Sequence, residues 1–327
     1  MISDDELDSA VSAGVLDATT AAALRAHVAA LHRSPIADEE HFRLVTGFND
    51  VFVVIASMLL LVSVGWIGGV AATWLGGVAV CATSWVLAEF FVRRRRMALP
   101  AIVLLGTFVG AAFYAVQALA GPALASAVAV AGAWLHWRRF QVPITVAAGA
   151  GVLLFGLVAA LVEAVPAAAN WLLPIIFLAG VAVFAIAVRW DASDPARTTR
   201  RADVAFWLHL LAAPLLVHPV FGLVGVSSGE SGPAQAAVAA LLYLAIGVVS
   251  LALDRRALMV SALGYVLYAF SSLLQQSGFV SLGFALTALA IGSGLLLLSA
   301  FWQKARAVTV GRLPEGLRVR LAPARTT

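Results

Sequence analysis

Residues 93–139 read RRRRMALPAIVLLGTFVGAAFYAVQALAGPALASAVAVAGAWLHWRR, a long apolar run with arginines at both ends. A helix needs about 20 apolar residues to cross the hydrocarbon of a bilayer, and this run is long enough for two. Arginines that flank membrane spans stay on the cytoplasmic side, so both ends of the run should lie on that side. The stretch therefore predicts two membrane-spanning helices joined by a turn near Gly121.

The composition of the whole chain agrees with a membrane protein. Of its 327 residues, 62% are hydrophobic and 12% are charged, whereas soluble domains carry about 25% charged residues. A soluble core could not hide this much apolar surface. Ten apolar runs predict an all-α polytopic transmembrane bundle of about ten spans: 48–67, 70–91, 98–120, 122–137, 142–162, 167–188, 203–225, 234–253, 257–276 and 279–301.

The positive charges predict the orientation of this bundle. With ten spans, all 21 Lys and Arg residues fall on one side of the membrane, which the positive-inside rule assigns to the cytoplasm. Both termini are therefore expected to be cytoplasmic. The arginines at 93–96 cap a helix that leaves the bilayer, where long side chains reach the headgroups, so we expect the lipid bilayer and not nucleic acid as their partner.

Three regions follow from this pattern. Residues 1–46 predict a small cytoplasmic hairpin of two amphipathic helices, the second starting at Asp17. Residues 47–302 form the ten-span domain, and residues 303–327 form a basic cytoplasmic tail. A hairpin of this size cannot bury enough surface to stand alone. Either it caps its own spans, or it binds a cytoplasmic protein partner.

The segment WLHLLAAPLLVHPVF, residues 207–221, is unusual because it places two histidines and two prolines within one span. Proline removes a backbone hydrogen bond of the preceding turn, so a bend is predicted near 210–214 and a second weak point near 215–219. The two histidines are nine residues apart, about 13.5 Å along a helix, and cannot bind one metal ion together. Each either satisfies a neighbouring helix or borders a polar path.

Two further spans carry polar side chains at helical spacing, Thr107 to Gln117 in the third span and Ser261 to Gln275 in the ninth. Such stripes either hold helices together by hydrogen bonds or line a cavity for a solute. Together with span 7, they supply the candidate ligand-binding residues, which are His209, His218, Tyr114, Gln117, Tyr265, Tyr268 and Gln275.

The acidic N-terminal hairpin, the stretch HFRLVTGFNDVFV at 41–53 and the WLHLLAAPLLVHPVF segment resemble multi-span bacterial inner-membrane proteins that have a short N-terminal helical region. The resemblance implies a location in the bacterial inner membrane. It implies no activity, because no activity is assigned to those proteins.

The sequence contains no motif of a hydrolase, metalloprotease or nucleotide-binding enzyme, and no span carries paired carboxylates. We therefore expect no enzymatic activity, no catalytic residue, no cofactor and no metal site. Two function classes remain open. One is a non-transporting scaffold or sensor that meets a cytoplasmic partner through residues 1–46, and the other is a carrier or channel with a polar path bordered by spans 3, 7 and 9.

Overall fold

The computed structural model consists of helices and their connections in every part of the chain that it describes, as the composition predicts. The described residues are 4–24, 48–195, 197, 199–223, 225, 233–276, 289, 291–294, 296–298, 301–318 and 321.

The helices are numbered in chain order: α1 (Asp4–Ser12), α2 (18–24), α3 (Phe48–Ala71), α4 (Thr73–Ala88), α5 (Ala98–Phe140), α6 (Ile144–Ala164), α7 (Leu172–Ala192), α8 (Arg200–Leu223), α9 (Pro233–Leu253), α10 (Ala257–Gln276), α11 (Trp302–Gly311) and α12 (Glu315–Arg318). Helix α4 continues into a π-helical turn, Glu89–Arg94. A 3-10 turn, Pro166–Trp171, precedes α7.

Among the described residues, six helices are long and apolar enough to cross a membrane. They cover Asn49–Ala71, Thr73–Arg94, Ala98–Phe140, Ile144–Ala164, Pro166–Ala192 and Arg200–Leu223. Two shorter apolar stretches, Ala237–Leu253 and Leu258–Tyr268, follow along the chain. The membrane character predicted from the composition is therefore confirmed. Most of the predicted tenth span, 279–301, lies outside the described residues.

Helix α5 is folded back on itself at Gly121. A straight helix of its 43 residues would be about 65 Å long, roughly twice the thickness of a hydrocarbon core. Gly121 has φ 76° and ψ 172°, a backbone conformation open almost only to glycine. The rings of Phe108 and His136 lie 5.8 Å apart, although they would be about 42 Å apart along a straight helix. The two arms, 98–120 and 122–140, are thus antiparallel, with the turn where the sequence predicts it.

Glycines allow α3 and α4 to approach each other closely. A Cβ added to Gly76 would lie 2.5 Å from the carbonyl oxygen of Gly65 and 3.0 Å from the backbone nitrogen of Gly69. Small residues at helix crossings serve this purpose in membranes, where backbone packing replaces the hydrophobic effect as the main attraction. Only glycine fits at Gly76 without displacing the backbone of α3.

Helix α8 runs from Arg200 to Leu223 as one helix and includes both Pro214 and Pro219. The prolines therefore do not end the helix, and the bend predicted near 210–214 stays a prediction. The α8 face that contains Val217 and Phe221 is buried against Ala262 and Val266 of α10, and its other turns pack on α7 through Ala212, Leu208 and Val183. Tight packing of neighbours on both sides holds the helix together where backbone hydrogen bonds are lost.

The chain divides into two compact units, Met1–His41 and Phe42–Thr327. In the first, Asp17 accepts hydrogen bonds from the backbone N–H groups of Thr19 and Thr20, the capping role predicted for it. These bonds, with those from the two threonine hydroxyls, hold the pKa of the Asp17 carboxyl well below its usual range. The rest of the predicted second hairpin helix, from residue 25 onward, lies outside the described residues.

The arginine-bearing connections of the second unit meet at one end of the bundle. Arg139 binds Glu89 through two hydrogen bonds of 2.6 and 2.9 Å, and Arg200 donates to Gln141 at 2.6 Å. Nη2 of Arg255 donates to Oδ1 of Asp191 at 2.6 Å. Because these pairs join residues that are 50 to 64 positions apart, the connections that the charge pattern assigns to one side are indeed neighbours. We call this end the arginine-rich end.

Candidate functional site

His209, the first of the two histidines in α8, is fully buried and faces α7. Its Nε2 lies 2.8 Å from Oδ2 of Asp191, and its ring packs edge-on against Phe184 with centroids 5.4 Å apart. Since the carboxylate accepts the hydrogen bond, the proton of the imidazole faces it on Nε2. Nδ1 is buried with no hydrogen-bond partner among the described residues.

Asp191 is held from its other side by Arg255, which precedes α10. The guanidinium donates from Nη2 to Oδ1 at 2.6 Å and from Nε to Oδ2 at 3.2 Å, a bidentate geometry that is the strongest form of such pairs. Nη2 also donates to the carbonyl oxygen of Ala202 at 3.1 Å. The Arg255 side chain is only 3% exposed, so the ion pair depends on these bonds to offset the loss of water.

A second carboxylate, Asp254, collects three partners directly beside Arg255. It accepts hydrogen bonds from Arg197 at 3.0 Å and from the Trp302 indole at 2.7 Å, and Arg306 of α11 lies 3.7 Å away. Burial, followed by the nearby charge of Arg255, lowers the pKa of the Arg197 guanidinium. Asp254 and Arg197 both adopt left-handed backbone, with φ of 57° and 54°. This conformation is uncommon for residues other than glycine.

These seven residues form what we call the charged cluster: Asp191, His209, Arg255, Asp254, Arg197, Trp302 and Arg306. The cluster ties α7, α8, α11 and the two connections that follow α7 and α9 into one joint at the arginine-rich end. Each carboxylate is bonded to at least one arginine and one ring nitrogen. With three arginines and two aspartates, the arrangement is a joint in which each carboxylate is paired with at least one guanidinium.

His218, the second histidine of α8, has a different partner. Its Nδ1 forms a hydrogen bond with the hydroxyl of Tyr265 on α10. The Tyr265 ring stacks on Phe221 with centroids 4.8 Å apart. Both histidines thus form a hydrogen bond with a side chain of a neighbouring helix, while a polar path bordered by them stays a prediction.

Tyr114 lies elsewhere, in an open cleft of about 650 Å³ between α3, α4 and the first arm of α5. Gly65, Gly76 and Thr107 also line this cleft, and the Thr107 hydroxyl is hydrogen-bonded to Ser84 at 2.9 Å. Gln117 continues the same helix face and is exposed. The polar stripe of span 3 therefore faces the first two spans, whereas Tyr265 faces α8.

The remaining two candidates lie on α10. Tyr268 is exposed, and Gln275 is in the last turn, where the structure does not describe side chains. The seven candidate residues thus do not converge. Two of them, His218 and Tyr265, touch each other, and His209 belongs to the charged cluster.

The sequence does not predict the partners in the cluster. It assigns Arg255 to one side of the membrane and gives no role to Asp191 or Asp254. One signal is present: Asp191 is in the last turns of α7 and Asp254 follows α9, both next to arginines that can pair with a carboxylate. His136, near the end of α5, also has surroundings that the sequence does not predict. It is fully buried between Trp85, Phe108 and Phe140, and neither ring nitrogen has a hydrogen-bond partner among the described residues.

No protein-family model matches the chain, and no curated protein or solved structure matches it either.

Proposed function

We propose that the protein is a multi-pass protein of the bacterial inner membrane that acts as a scaffold or sensor for a cytoplasmic partner and does not transport a solute. The observation that carries this proposal is the charged cluster. It occupies the arginine-rich end between α7, α8 and α11 with buried, mutually bonded side chains. A solute path along α8 would have to pass through this joint.

The proposed topology has ten spans and both termini in the cytoplasm. Each arm of α5 is about long enough to cross the hydrocarbon, and α9, α10 and the apolar run at 279–301 add the final three spans. The count of ten spans is supported by three pairs at the arginine-rich end, which Arg139, Arg200 and Arg255 form with their partners. The positive-inside rule requires the arginine-bearing ends of the spans to lie on one side of the membrane.

Alkaline phosphatase fusions test this topology. The enzyme folds only outside the cytoplasm, where its disulfides form. We therefore expect a fusion after Ser228 to be active and a fusion after Thr198 to be inactive, with equal amounts of both proteins in the membrane. The reverse activities would refute the orientation, and two active fusions would refute the span count.

The positions of the polar stripes also support the proposal that the protein does not transport a solute. A path bordered by spans 3, 7 and 9 needs their polar side chains to face a common space. Tyr114 instead faces the first two spans, and Tyr265 is bonded to His218 and stacked on Phe221. Under the proposal, the bundle provides a fixed platform, and residues 1–46, which carry the exposed Val15, bind the cytoplasmic partner.

Cysteine labelling distinguishes this platform from a carrier. In a Cys81→Ser background, in open membrane fragments whose two faces are both accessible, we expect Ala213→Cys and Val217→Cys to resist a membrane-impermeant maleimide, because both positions of α8 are at most 2% exposed. Arg201→Cys, at the exposed start of α8, should react fully and serves as the matched control. All three variants should react after denaturation.

Reaction of Ala213→Cys and Val217→Cys in the native protein would show that water reaches the turns between His209 and His218. That outcome would overturn the platform and favour a carrier or channel that uses α8.

A further inference from the structure

A second cavity, which we call the arginine pocket, lies at the arginine-rich end away from the charged cluster. It has a volume of about 200 Å³ and is formed where the end of α4, the start and end of α5 and the start of α8 meet. A cavity needs only about 10–15 Å³ of this kind of volume to admit one water molecule, so the pocket has room for several. This space is sufficient for a tetrahedral oxyanion with part of its hydration shell.

Two guanidinium groups, those of Arg96 and Arg200, line the arginine pocket, and no acidic residue among the described ones does. Arg200 donates to the neutral amide oxygen of Gln141 at 2.6 Å, which fixes the side chain without neutralising its charge. Arg96 has no ion pair with a described carboxylate. Glu89 binds Arg93 and Arg139, and Asp203, one turn along α8, interacts with Arg200 through its charge but does not line the pocket.

The backbone around the pocket adds to its positive potential. Met97 and Pro143, which both line the pocket, precede the first turns of α5 and α6, and neither helix start has a side-chain cap. Uncapped N–H groups at helix starts favour anions. Arg96 and Gln141 adopt left-handed backbone, with φ of 53° and 52°, which turns the chain tightly into the first turns of these helices.

We propose that the arginine pocket binds a phosphate group. Paired guanidinium groups match the geometry of phosphate oxygens, to which they donate in bidentate fashion. Ala101, Ile102 and Val142 give the pocket an apolar part of its lining. Since acyl chains can contact these side chains, the pocket can accept the phosphate of a lipid headgroup as well as a free phosphate. Basic pockets between membrane helices on the cytoplasmic side bind anionic headgroups. This site is independent of the partner proposed for residues 1–46.

The test uses the purified full-length protein in neutral detergent. Native mass spectrometry measures the binding of phosphatidylglycerol, with diacylglycerol as the matched lipid that lacks phosphate. Thermal unfolding with and without inorganic phosphate measures binding of the free anion. The pocket variant is Arg96→Gln/Arg200→Gln. Its control, Arg94→Gln/Arg201→Gln, removes the same charge from exposed residues that do not line the pocket.

We expect the pocket variant to lose about tenfold in affinity for each guanidinium removed, as for charge-assisted hydrogen bonds, while the control variant changes by less than about threefold. Arg96→Lys/Arg200→Lys, which keeps the charge, should bind better than the glutamine pair. Binding of phosphatidylglycerol without an effect of inorganic phosphate identifies a lipid ligand. A rise in Tm with inorganic phosphate that the pocket variant loses identifies a soluble one.

Equal losses in the pocket and control variants would overturn the proposal, because the attraction would then be spread over the whole surface. Binding of neither phosphate-containing probe above diacylglycerol would overturn it as well. Should the loss of the bond between Arg200 and Gln141 prevent folding, Arg96→Gln alone decides the question. Arg96 is exposed and makes no described hydrogen bond, and its replacement should weaken binding about tenfold.

Discussion

Arg255→Gln is expected to lower the free energy of unfolding by about 3–5 kcal/mol, the usual cost of removing one partner from a buried ion pair. The loss comes from Asp191, whose carboxylate is 17% exposed and would keep only His209 as a partner. Glutamine cannot reproduce the bidentate bond, and the carbonyl of Ala202 would lose its donor as well. Unfolding of the purified protein in mixed micelles, followed by circular dichroism, measures the effect.

Arg201→Gln is the matched control, because it removes an arginine from the exposed start of α8 and should change stability by no more than about 0.5 kcal/mol. Asp191→Asn should resemble Arg255→Gln. The double variant should cost less than the sum of the two, since the second substitution removes the charge that the first leaves unpaired. Equal effects of Arg255→Gln and Arg201→Gln would mean that the ion pair contributes nothing to the fold.

His209→Leu belongs to the same test and should cost less, about 1–3 kcal/mol, because Asp191 keeps both bonds to Arg255. The same unfolding measurement checks this order of effects. A loss as large as that of Arg255→Gln would mean that His209, and not Arg255, is the main partner of Asp191.

Gly76→Val is the second substitution with a large expected effect. Its Cβ would lie 2.5 Å from the carbonyl oxygen of Gly65 and 3.0 Å from the nitrogen of Gly69, and backbone atoms cannot rotate away as a side chain can. Overpacking of this kind costs about 1–3 kcal/mol or more. Since small residues let membrane helices approach, we expect α3 to separate from α4, with a fall in Tm of the purified protein.

Gly106→Val provides the comparison, because a Cβ at Gly106 meets nothing within 4 Å. The same substitution there should leave the Tm within a few degrees of the parent. If both variants unfold at the same temperature, the contact between α3 and α4 does not depend on the missing side chain of Gly76.

The arginines made it predictable which span ends lie together at the arginine-rich end, because charge next to a hydrophobic run decides which end of a span stays in water. Arg139 and Glu89 illustrate this: they lie at the ends of two spans that the charge pattern assigns to one side, and they form an ion pair. The reversal at Gly121 was also predictable, since the apolar run between the arginines at 93–96 and 138–139 is too long to form one helix across a bilayer.

The charged cluster was not predictable from the same patterns. Asp191 and Arg255 are 64 positions apart, and their pairing depends on how α7 and the connection after α9 pack, which helical periodicity does not specify. For the tyrosines, spacing shows that a stripe lies on one face but not which neighbour that face meets. Tyr114 faces the first two spans and Tyr265 faces α8, so two stripes with the same spacing contact different helices.

The reversal at Gly121 also has a consequence for biosynthesis. In the proposed topology, the two arms of α5 are joined without a polar loop, so the ribosome delivers both to the insertion machinery as one hairpin. Arg93–Arg96 and Arg138–Arg139 remain behind on the side of synthesis while only the turn crosses. The first arm buries Phe108 and Val109 against Ala129 and Ala133 of the second, and these contacts are complete only once the second arm has been made. In the proposed topology, this part of the bundle therefore becomes stable in lipid only after the second arm has left the ribosome.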